Sequence, residues 1–461
     1  MLRIFKQYYP IRNIFFILGE GVVIYVSILL AYGMLRLREP FELNNIIYLK
    51  AFLITLISQT FLYYNDLYDL KVTDSFMELT IRLFQALGAA TIFFALICFV
   101  FPDATIGRWI FLLSLVLIIF LIASWRFAYN SVLNLGIFNQ NIVLLGSGKL
   151  ARNILEEIKA NRDCGYSVSV LVEDCPTDRH FAELKNSCAI CKNDFNELCE
   201  TAKAMNASKV VVAMTERRGN FPSLELLKCR VDGIEVLDGN TFYEMLSGKL
   251  MVEQTNPAWL IFSSGFRRTT LRYFLKRVLD IIMSGLFLAL VSPLILLVVL
   301  ALKLESPKKP VMFSQERIGQ RKKPYRMYKF RSMWGEEEKP TWADEERVTR
   351  VGKIIRKVRM DEIPQAWNVL KGEMSFVGPR PERGYFIDQL EEIIPYYSER
   401  FTVKPGITGW AQVCYGYGAS VEDALEKLNY DLFYIKNMSF FMDLMILIRT
   451  IKIVLFGKGA R

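Results

Sequence analysis

Histidine is almost missing from this chain: there is one, His180, in 461 residues. Cysteine is scarce where it would matter, with eight in all and only Cys414 beyond Cys229. A histidine-activated serine or cysteine therefore has no local base in the C-terminal third, which excludes nucleophilic chemistry of that type there. Any covalent or acid–base work falls to a carboxylate. The chain also lacks internal repeats and low-complexity tracts. No small-residue cleavage site follows its basic start (Arg3, Lys6, Arg12), so that start reads as an uncleaved anchor rather than a signal peptide.

What is abundant is apolar. Hydrophobic residues make up 52% of the chain, and the mean hydropathy is +0.24. A length of 461 residues allows about three domains. Four apolar runs, Ile14–Leu35, Ile46–Tyr64, Ile81–Phe101 and Ile110–Leu133, each approach the roughly 20 residues that cross a bilayer as a helix. Four crossings return the chain to its starting side, and the basic start favours a cytoplasmic N-terminus. The link Asn65–Thr80, with Asp66, Asp69, Asp74 and Glu78 against Lys71, adds no support to that orientation.

The formal net charge is +10, and its distribution is uneven: from Ser263 onward there are 33 Lys/Arg against 22 Asp/Glu. The C-terminal part thus carries essentially all of the positive excess, as suits anionic lipid or phosphate partners. No nucleic-acid partner is expected, because the basic residues flank apolar helices and no nucleic-acid-binding motif accompanies them.

Hydropathy falls at about Gln140. Asn141–Leu145 reads as a buried strand, and Gly146-Ser147-Gly148-Lys149-Leu150-Ala151 turns it into the helix Arg152–Ala160. Further strands are predicted at Ser167–Val172, Lys209–Ala213 and Ile234–Leu237, with helices between them, which makes a doubly wound α/β domain. Glu173-Asp174 follows the second strand, where an acidic group meets the ribose of a dinucleotide. The glycine turn serves close strand–helix packing equally well, so both readings stand. Cys188-Ala-Ile-Cys191 is a C-x-x-C pair, but Cys164, Cys175 and His180 lie nearby at irregular spacing, so reduced thiols are expected rather than a metal site.

Another apolar run spans Val278–Leu302. Arg267, Arg268, Arg272, Lys276 and Arg277 precede it, and Lys303, Lys308 and Lys309 follow it. Positive charge at both ends argues that both ends stay on one side of the membrane. Ser292-Pro293 supplies a break, since proline lacks an N–H and clashes with the carbonyl of Ala289 four residues back. A re-entrant helix is expected, with a kinked fifth crossing as the competing reading.

Beyond it, Val311–Gln315 and Tyr325–Arg331 look extended, the second alternating basic with aromatic or apolar residues. Asp361-Glu362 then stands among arginines in Arg356-Lys357-Val358-Arg359-Met360-Asp361-Glu362-Ile363-Pro364-Gln365. Adjacent carboxylates beside cations suit phosphate chemistry. Met374–Glu382 is a proline-stiffened loop that fixes Arg380, and Lys404-Pro405-Gly406-Ile407-Thr408-Gly409-Trp410 is a second rigid turn. Met438–Phe456 is apolar but carries Asp443, Arg449 and Lys452. Each charge costs about 2.5–3.5 kcal/mol at a bilayer centre, so an interfacial helix is expected there.

These pieces together resemble the monotopic polyprenyl-phosphate glycosyl-1-phosphate transferases, which initiate bacterial exopolysaccharide, capsule and O-antigen assembly. The resemblance rests on the basic helix with Ser292-Pro293, Tyr328-Lys329-Phe330-Arg331-Ser332-Met333, Asp361-Glu362-Ile363-Pro364-Gln365, Gly378-Pro379-Arg380-Pro381-Glu382 and Lys404–Trp410. The apolar N-terminal part and the α/β domain also resemble the large form of that family. The fold expected is a membrane protein of mixed α and α/β class. Residues 1–139 form a four-helix transmembrane region, 140–250 a Rossmann-like domain, 251–268 a linker and 269–461 a catalytic domain with the re-entrant helix at 278–302.

The resemblance implies transfer of a sugar-1-phosphate from a UDP-sugar to undecaprenyl phosphate at the bacterial inner membrane, with release of UMP and with Mg2+ as cofactor. The catalytic domain would be on the cytoplasmic face. By position Asp361 is the nucleophile that forms an acyl phosphate, Glu362 holds the magnesium, and Arg356 and Arg380 bind phosphate. Lys329, Arg331 and Arg383 join the phosphate-binding set on charge and proximity in sequence. A homodimer is plausible for the large form. One departure stands out: many relatives carry an arginine shortly after the tryptophan turn, where this chain reads Gln412-Val413-Cys414-Tyr415-Gly416-Tyr417-Gly418. The transferred sugar is not legible. A membrane-anchored nucleotide-sugar dehydratase or epimerase, using Tyr325-x-x-x-Lys329, and a non-catalytic assembly scaffold are the alternatives.

Overall fold

A computed structural model of the protein describes residues 2–4, 7–9, 11–35, 45–68, 76–134, 139–146, 148–161, 164–172, 190–192, 195, 198–214, 221–255, 257–263, 265–266, 269–334, 347–416, 418 and 420–456. The chain divides into two compact units, residues 1–4 with 8–242 and residues 5–7 with 243–461.

After a three-residue strand at Leu2–Ile4, the first unit continues with four apolar helices, α1 (Ile11–Leu35), α2 (Asn45–Tyr64), α3 (Phe76–Val100) and α4 (Arg108–Asn134). All four are long and apolar enough to cross a membrane. Their shared core includes Ile24, Ile28, Ile54, Leu62, Leu83, Leu87 and Ile122, while Phe15, Leu49, Phe84 and Phe120 face outward. One ion pair interrupts this apolar interior. The Arg126 Nε of α4 donates to Glu20 Oε1 of α1 at 2.8 Å, Nη2 lies 2.8 Å from the same oxygen, and Nη1 donates to the Leu67 carbonyl at 2.8 Å. Removing either partner would strand a buried charge, at a cost of about 3–5 kcal/mol, so the pair fixes α4 against α1 and the α2–α3 link.

A five-stranded, wholly parallel sheet follows: β1 (Gln140–Leu145), β2 (Tyr166–Val172), β3 (Ile190–Lys192), β4 (Ala207–Val212) and β5 (Glu235–Asp238). Its spatial order is β3-β2-β1-β4-β5, which is doubly wound. Central strands buried on both faces read as continuous apolar runs, as Ile142–Leu145 does. Around the sheet are α5 (Lys149–Ala160), α6 (Leu198–Ala204), α7 (Ser223–Val231) and α8 (Gly239–Ser247). Gly146 has φ +114°, and a Cβ there would lie 2.8 Å from the Ala213 backbone. The turn is thus filled by the end of β4, which is the packing reading of the glycine motif. Glu173, Asp174, Cys175, His180 and Cys188 lie outside the described residues.

The second unit carries a 3-10 turn at Val252–Gln254 and a short helix, α9 (Pro257–Phe262), within the stretch expected as a linker. Leu250 and Val252 belong to the unit's main core, and both backbone amides donate to Asn429. Helix α10 (Thr270–Glu305) is 36 residues long, well beyond the apolar run itself, and its helical assignment continues through Pro293. The hydroxyl of Ser292 donates to the Ala289 carbonyl at 2.8 Å. That is the acceptor which proline leaves without an N–H, and the local replacement keeps the helix satisfied in an apolar surrounding.

The remainder comprises the antiparallel hairpin β6 (Met312–Ile318) and β7 (Pro324–Phe330), α11 (Arg350–Lys357), α12 (Gln365–Lys371), β8 (Ser375–Val377) and α13 (Gly384–Ile393). It ends with β9 (Gly406–Thr408), α14 (Trp410–Cys414), α15 (Val421–Asn437) and α16 (Phe440–Phe456). β8 and β9 pair in parallel. The core beneath them gathers Val377, Ile387, Tyr397, Phe401, Trp410, Leu432, Tyr434 and Ile446.

Candidate active site

The acidic pair sits where a helix is forced to stop. Thr349 caps α11 by accepting from the Gly352 amide at 2.8 Å. α11 ends at Lys357, and Arg359 adopts φ +54°, a conformation that costs a non-glycine residue about 1 kcal/mol. The chain then makes one 3-10 turn, Met360–Glu362, before Pro364 and α12. Ile363 and Met360, which bracket the carboxylates, pack with Val298 and Leu302 of α10, Phe330 of β7 and Ile355 of α11. The two acids are therefore anchored through their apolar neighbours to the C-terminal half of the long helix.

Glu362 is gripped by cations. Its Oε1 is 2.9 Å from Lys329 Nζ and 3.2 Å from an Arg380 nitrogen, and Oε2 has the Arg359 guanidinium at 3.9 Å. Burial pushes its carboxyl up, but Arg380, Lys329 and Arg359 together win and hold it down at about 2. Asp361 moves the other way. Burial and the neighbouring Glu362 raise it above the ordinary aspartate value, against the pull of Lys329 and Arg356. Two adjacent carboxylates are thus driven apart by their surroundings, one held ionised at neutral pH and one poorly hydrated, which is how a site assigns different jobs to similar groups.

Arg380 is delivered by two loops zipped together. The Gly378 amide donates to the Thr408 carbonyl and the Gly406 amide to Pro379, both at 2.9 Å. A Cβ on Gly406 would lie 2.1 Å from Gly378 N, and one on Gly409 2.2 Å from Gly378 O. Only glycine lets the backbones approach this closely. Beneath the loop, buried Arg400 donates to the Arg380 carbonyl at 3.1 Å and to Asp431 at 3.0 Å. Sequence reasoning missed this pair, and its members are 31 residues apart with no motif between them.

The structure brings Lys329, Asp361, Glu362 and Arg380 together directly, with Arg356 in the last turn of α11 close enough to act on Asp361. Among the described residues, neither Arg331 nor Arg383 forms a hydrogen bond or ion pair with the acid pair. Arg331 has Nε and one terminal nitrogen buried without a hydrogen-bond partner among the described residues. Arg383 stands at the N-cap of α13. Its charge, after burial and together with Arg380, lowers the Arg317 guanidinium to about 10.

Tyr325 and Lys329 share strand β7, yet Tyr325 is buried and its phenol is pushed upward by that burial, the opposite of what a tyrosine base requires. In the region of the departure, Arg449 of α16 reaches the Cys414 sulfur at 3.5 Å and stacks 4.8 Å from the Trp410 ring centroid. Among the described residues no cluster of three or more His, Cys, Asp or Glu could hold a metal by itself.

Residues 271–457 match the bacterial sugar transferase family, and residues 64–220 match a CoA-binding domain. The chain is 42% identical over 240 residues to a UDP-N-acetylgalactosamine-undecaprenyl-phosphate N-acetylgalactosaminephosphotransferase of Aeromonas hydrophila, an alignment covering 51% of this chain and 56% of that protein. It therefore spans little more than half the length of that relative. It is 42% identical over 191 residues to a UDP-glucose:undecaprenyl-phosphate glucose-1-phosphate transferase of Caulobacter vibrioides, covering 40% of this chain and 71% of the relative. A protein of the same description from Klebsiella pneumoniae is 33% identical over 332 residues, 69% of this chain and 68% of that one. With the acid pair, its cations and the zipped loops all falling inside the matched segment, the chain belongs to the bacterial sugar transferase family.

Proposed function

We propose that the chain transfers a sugar-1-phosphate from a UDP-sugar to undecaprenyl phosphate and so starts polysaccharide assembly at the bacterial inner membrane. The observation that carries this reading is the acid pair itself, a poorly hydrated Asp361 beside a Glu362 neutralised by Lys329 and Arg380. Asp361 attacks the sugar-proximal phosphorus. The bond from that phosphorus to the bridging oxygen breaks, and UMP leaves with the oxygen. An oxygen of the lipid phosphate then attacks the acyl phosphate and releases the Asp361 carboxylate. Lys329, Arg380 and Arg356 stabilise the negative charge that spreads over the phosphoryl oxygens. Splitting the reaction lets a soluble donor and a lipid acceptor use one site in turn.

Magnesium fits the residues present. Glu362 engages Lys329 and Arg380 through Oε1, and its Oε2, with Arg359 outside hydrogen-bond reach, would hold the ion. One carboxylate suffices, because Mg2+ takes its remaining ligands from phosphate oxygens and water. Bound there, it would neutralise charge on the diphosphate.

The catalytic unit faces the cytoplasm, and α10 re-enters the leaflet it left. What supports this is that both ends of α10 bind the same body. Near its start Arg277 donates to the carbonyls of Val369 and Leu370, and Asp280 accepts from Ser375 and the Phe376 amide. At its end Glu305 accepts from the Arg350 and Val351 amides. A single crossing would separate these ends by the roughly 30 Å of hydrocarbon.

The test is intact-mass analysis of enzyme quenched after mixing with UDP-sugar alone. A phosphosugar adduct on Asp361 and a stoichiometric burst of UMP are expected. Asp361→Asn should fold normally, form no adduct and lose transfer. No adduct in the wild type, with kinetics that require both substrates at once, would overturn the covalent step. A panel of UDP-sugars in the same assay identifies the sugar.

A further inference from the structure

We infer that Asn368 is a positioning residue for the transfer, a side-chain clamp that sets the reach of Lys329 to Glu362. The inference rests on the proposed function only for its kinetic consequence. Asn368 is fully buried in the middle of α12. Its Oδ1 accepts from the Tyr328 amide at 3.0 Å, and its Nδ2 donates to the Arg326 carbonyl at 2.7 Å and to Glu373 Oε2 at 2.6 Å.

Residues 326 and 328 point their backbone groups toward the same edge of β7. β6 pairs with β7 in a sheet of only two strands. The carboxamide of Asn368 therefore occupies the other edge and does there what a neighbouring strand's peptide group would do. It pairs one C=O and one N–H on an edge where, among the described residues, no other strand lies.

The consequence is positional. Tyr328 is the residue before Lys329, and α12 begins three residues after Glu362. By gripping the strand at 326 and 328 from a helix joined so closely to the acid pair, Asn368 fixes the two segments whose side chains meet at 2.9 Å. Glu373 in turn orients the amide, which has no other way of presenting its oxygen to Tyr328 while donating to Arg326. Neither Asn368 nor Glu373 makes any of the contacts described for Asp361, so the pair acts through Lys329 rather than on substrate.

Asn368→Ala, purified in nanodiscs, should lower kcat about a hundredfold while KM for the UDP-sugar changes by less than about threefold. The Tyr328 amide should lose protection from hydrogen exchange. Asn368→Asp keeps an acceptor for the Tyr328 amide but sets a carboxylate oxygen against the Arg326 carbonyl and the Glu373 carboxylate, and should be as impaired. Unchanged Tyr328 exchange in Asn368→Ala removes the clamp. Lost protection with kcat intact removes its role in positioning. Exchange at Tyr328 is measured without substrate, so a failure of the covalent mechanism leaves the clamp's own result readable.

Discussion

At the scale of single residues, the site works by giving two neighbouring acids opposite surroundings. Glu362 is held at about 2 against an ordinary value of 4.5, so its ionised form stabilises the fold. That contribution is complete above about pH 4.5 and is lost as pH falls from there towards 2. Lys329→Met removes the nearest cation, so the Glu362 carboxyl rises towards its ordinary value, its stabilisation at neutral pH shrinks, and less of it is left to lose on acidification. Thermal unfolding followed from pH 7 to pH 3 should show the variant less stable than wild type at pH 7 and the gap closing as the medium is acidified, and a gap that stays constant or widens would dismiss Lys329 as the source of the effect. The acid pair, Lys329, Arg356 and Arg380 were legible in the sequence, because each lies in a short run of charge or in a proline-stiffened turn. Asn368, Arg400 and Asp431 were not. A buried polar residue that satisfies backbone groups 40 residues away looks, in sequence, like any other helix position. Arg331 was legible as a cation but not in its destination: being next to a basic strand does not tell which side of the fold a guanidinium will enter.

At the scale of elements, close backbone contact between β8 and β9 is what points Arg380 at Glu362. Gly406→Ala places a methyl 2.1 Å from the Gly378 nitrogen and should force the two loops apart, lowering the melting temperature and abolishing most transfer. Gly285→Ala, in α10 with nothing within 4 Å of the added methyl, should leave both intact and gain helix stability by about 0.5–1 kcal/mol. Equal effects from the two substitutions would mean that crowding at Gly406 is not what matters. Strands β1, β2 and β4 were readable as apolar runs between turn residues. β3 was not, since three residues at a sheet edge leave almost no periodic signal. Helix α10 starts eight residues before the apolar run Val278–Leu302 because Lys276, Arg277 and Asp280 find partners in the folded unit rather than in water. Hydropathy sees only the lipid-facing part of such a helix.

At the scale of the whole molecule, five helices among the described residues are long and apolar enough to cross a membrane, and the topology turns on how the fifth is used. Cysteines introduced at Arg272 and Lys308, with the eight native thiols replaced, should both resist an impermeant maleimide in intact spheroplasts and both react after permeabilisation. Labelling of position 308 alone from outside would establish a crossing and put the catalytic segments on the wrong side of the bilayer for α10 to hold. The sharing of Met360 and Ile363 with Val298 and Leu302 has a further consequence. With α10 seated in the bilayer as proposed, the floor of the site is partly made of that helix, and a tilt imposed on it by lipid thickness or headgroup crowding should reach the acids above it. Turnover should then respond to acyl-chain length even when donor and acceptor are saturating, which makes the enzyme a reader of the bilayer as well as a user of it.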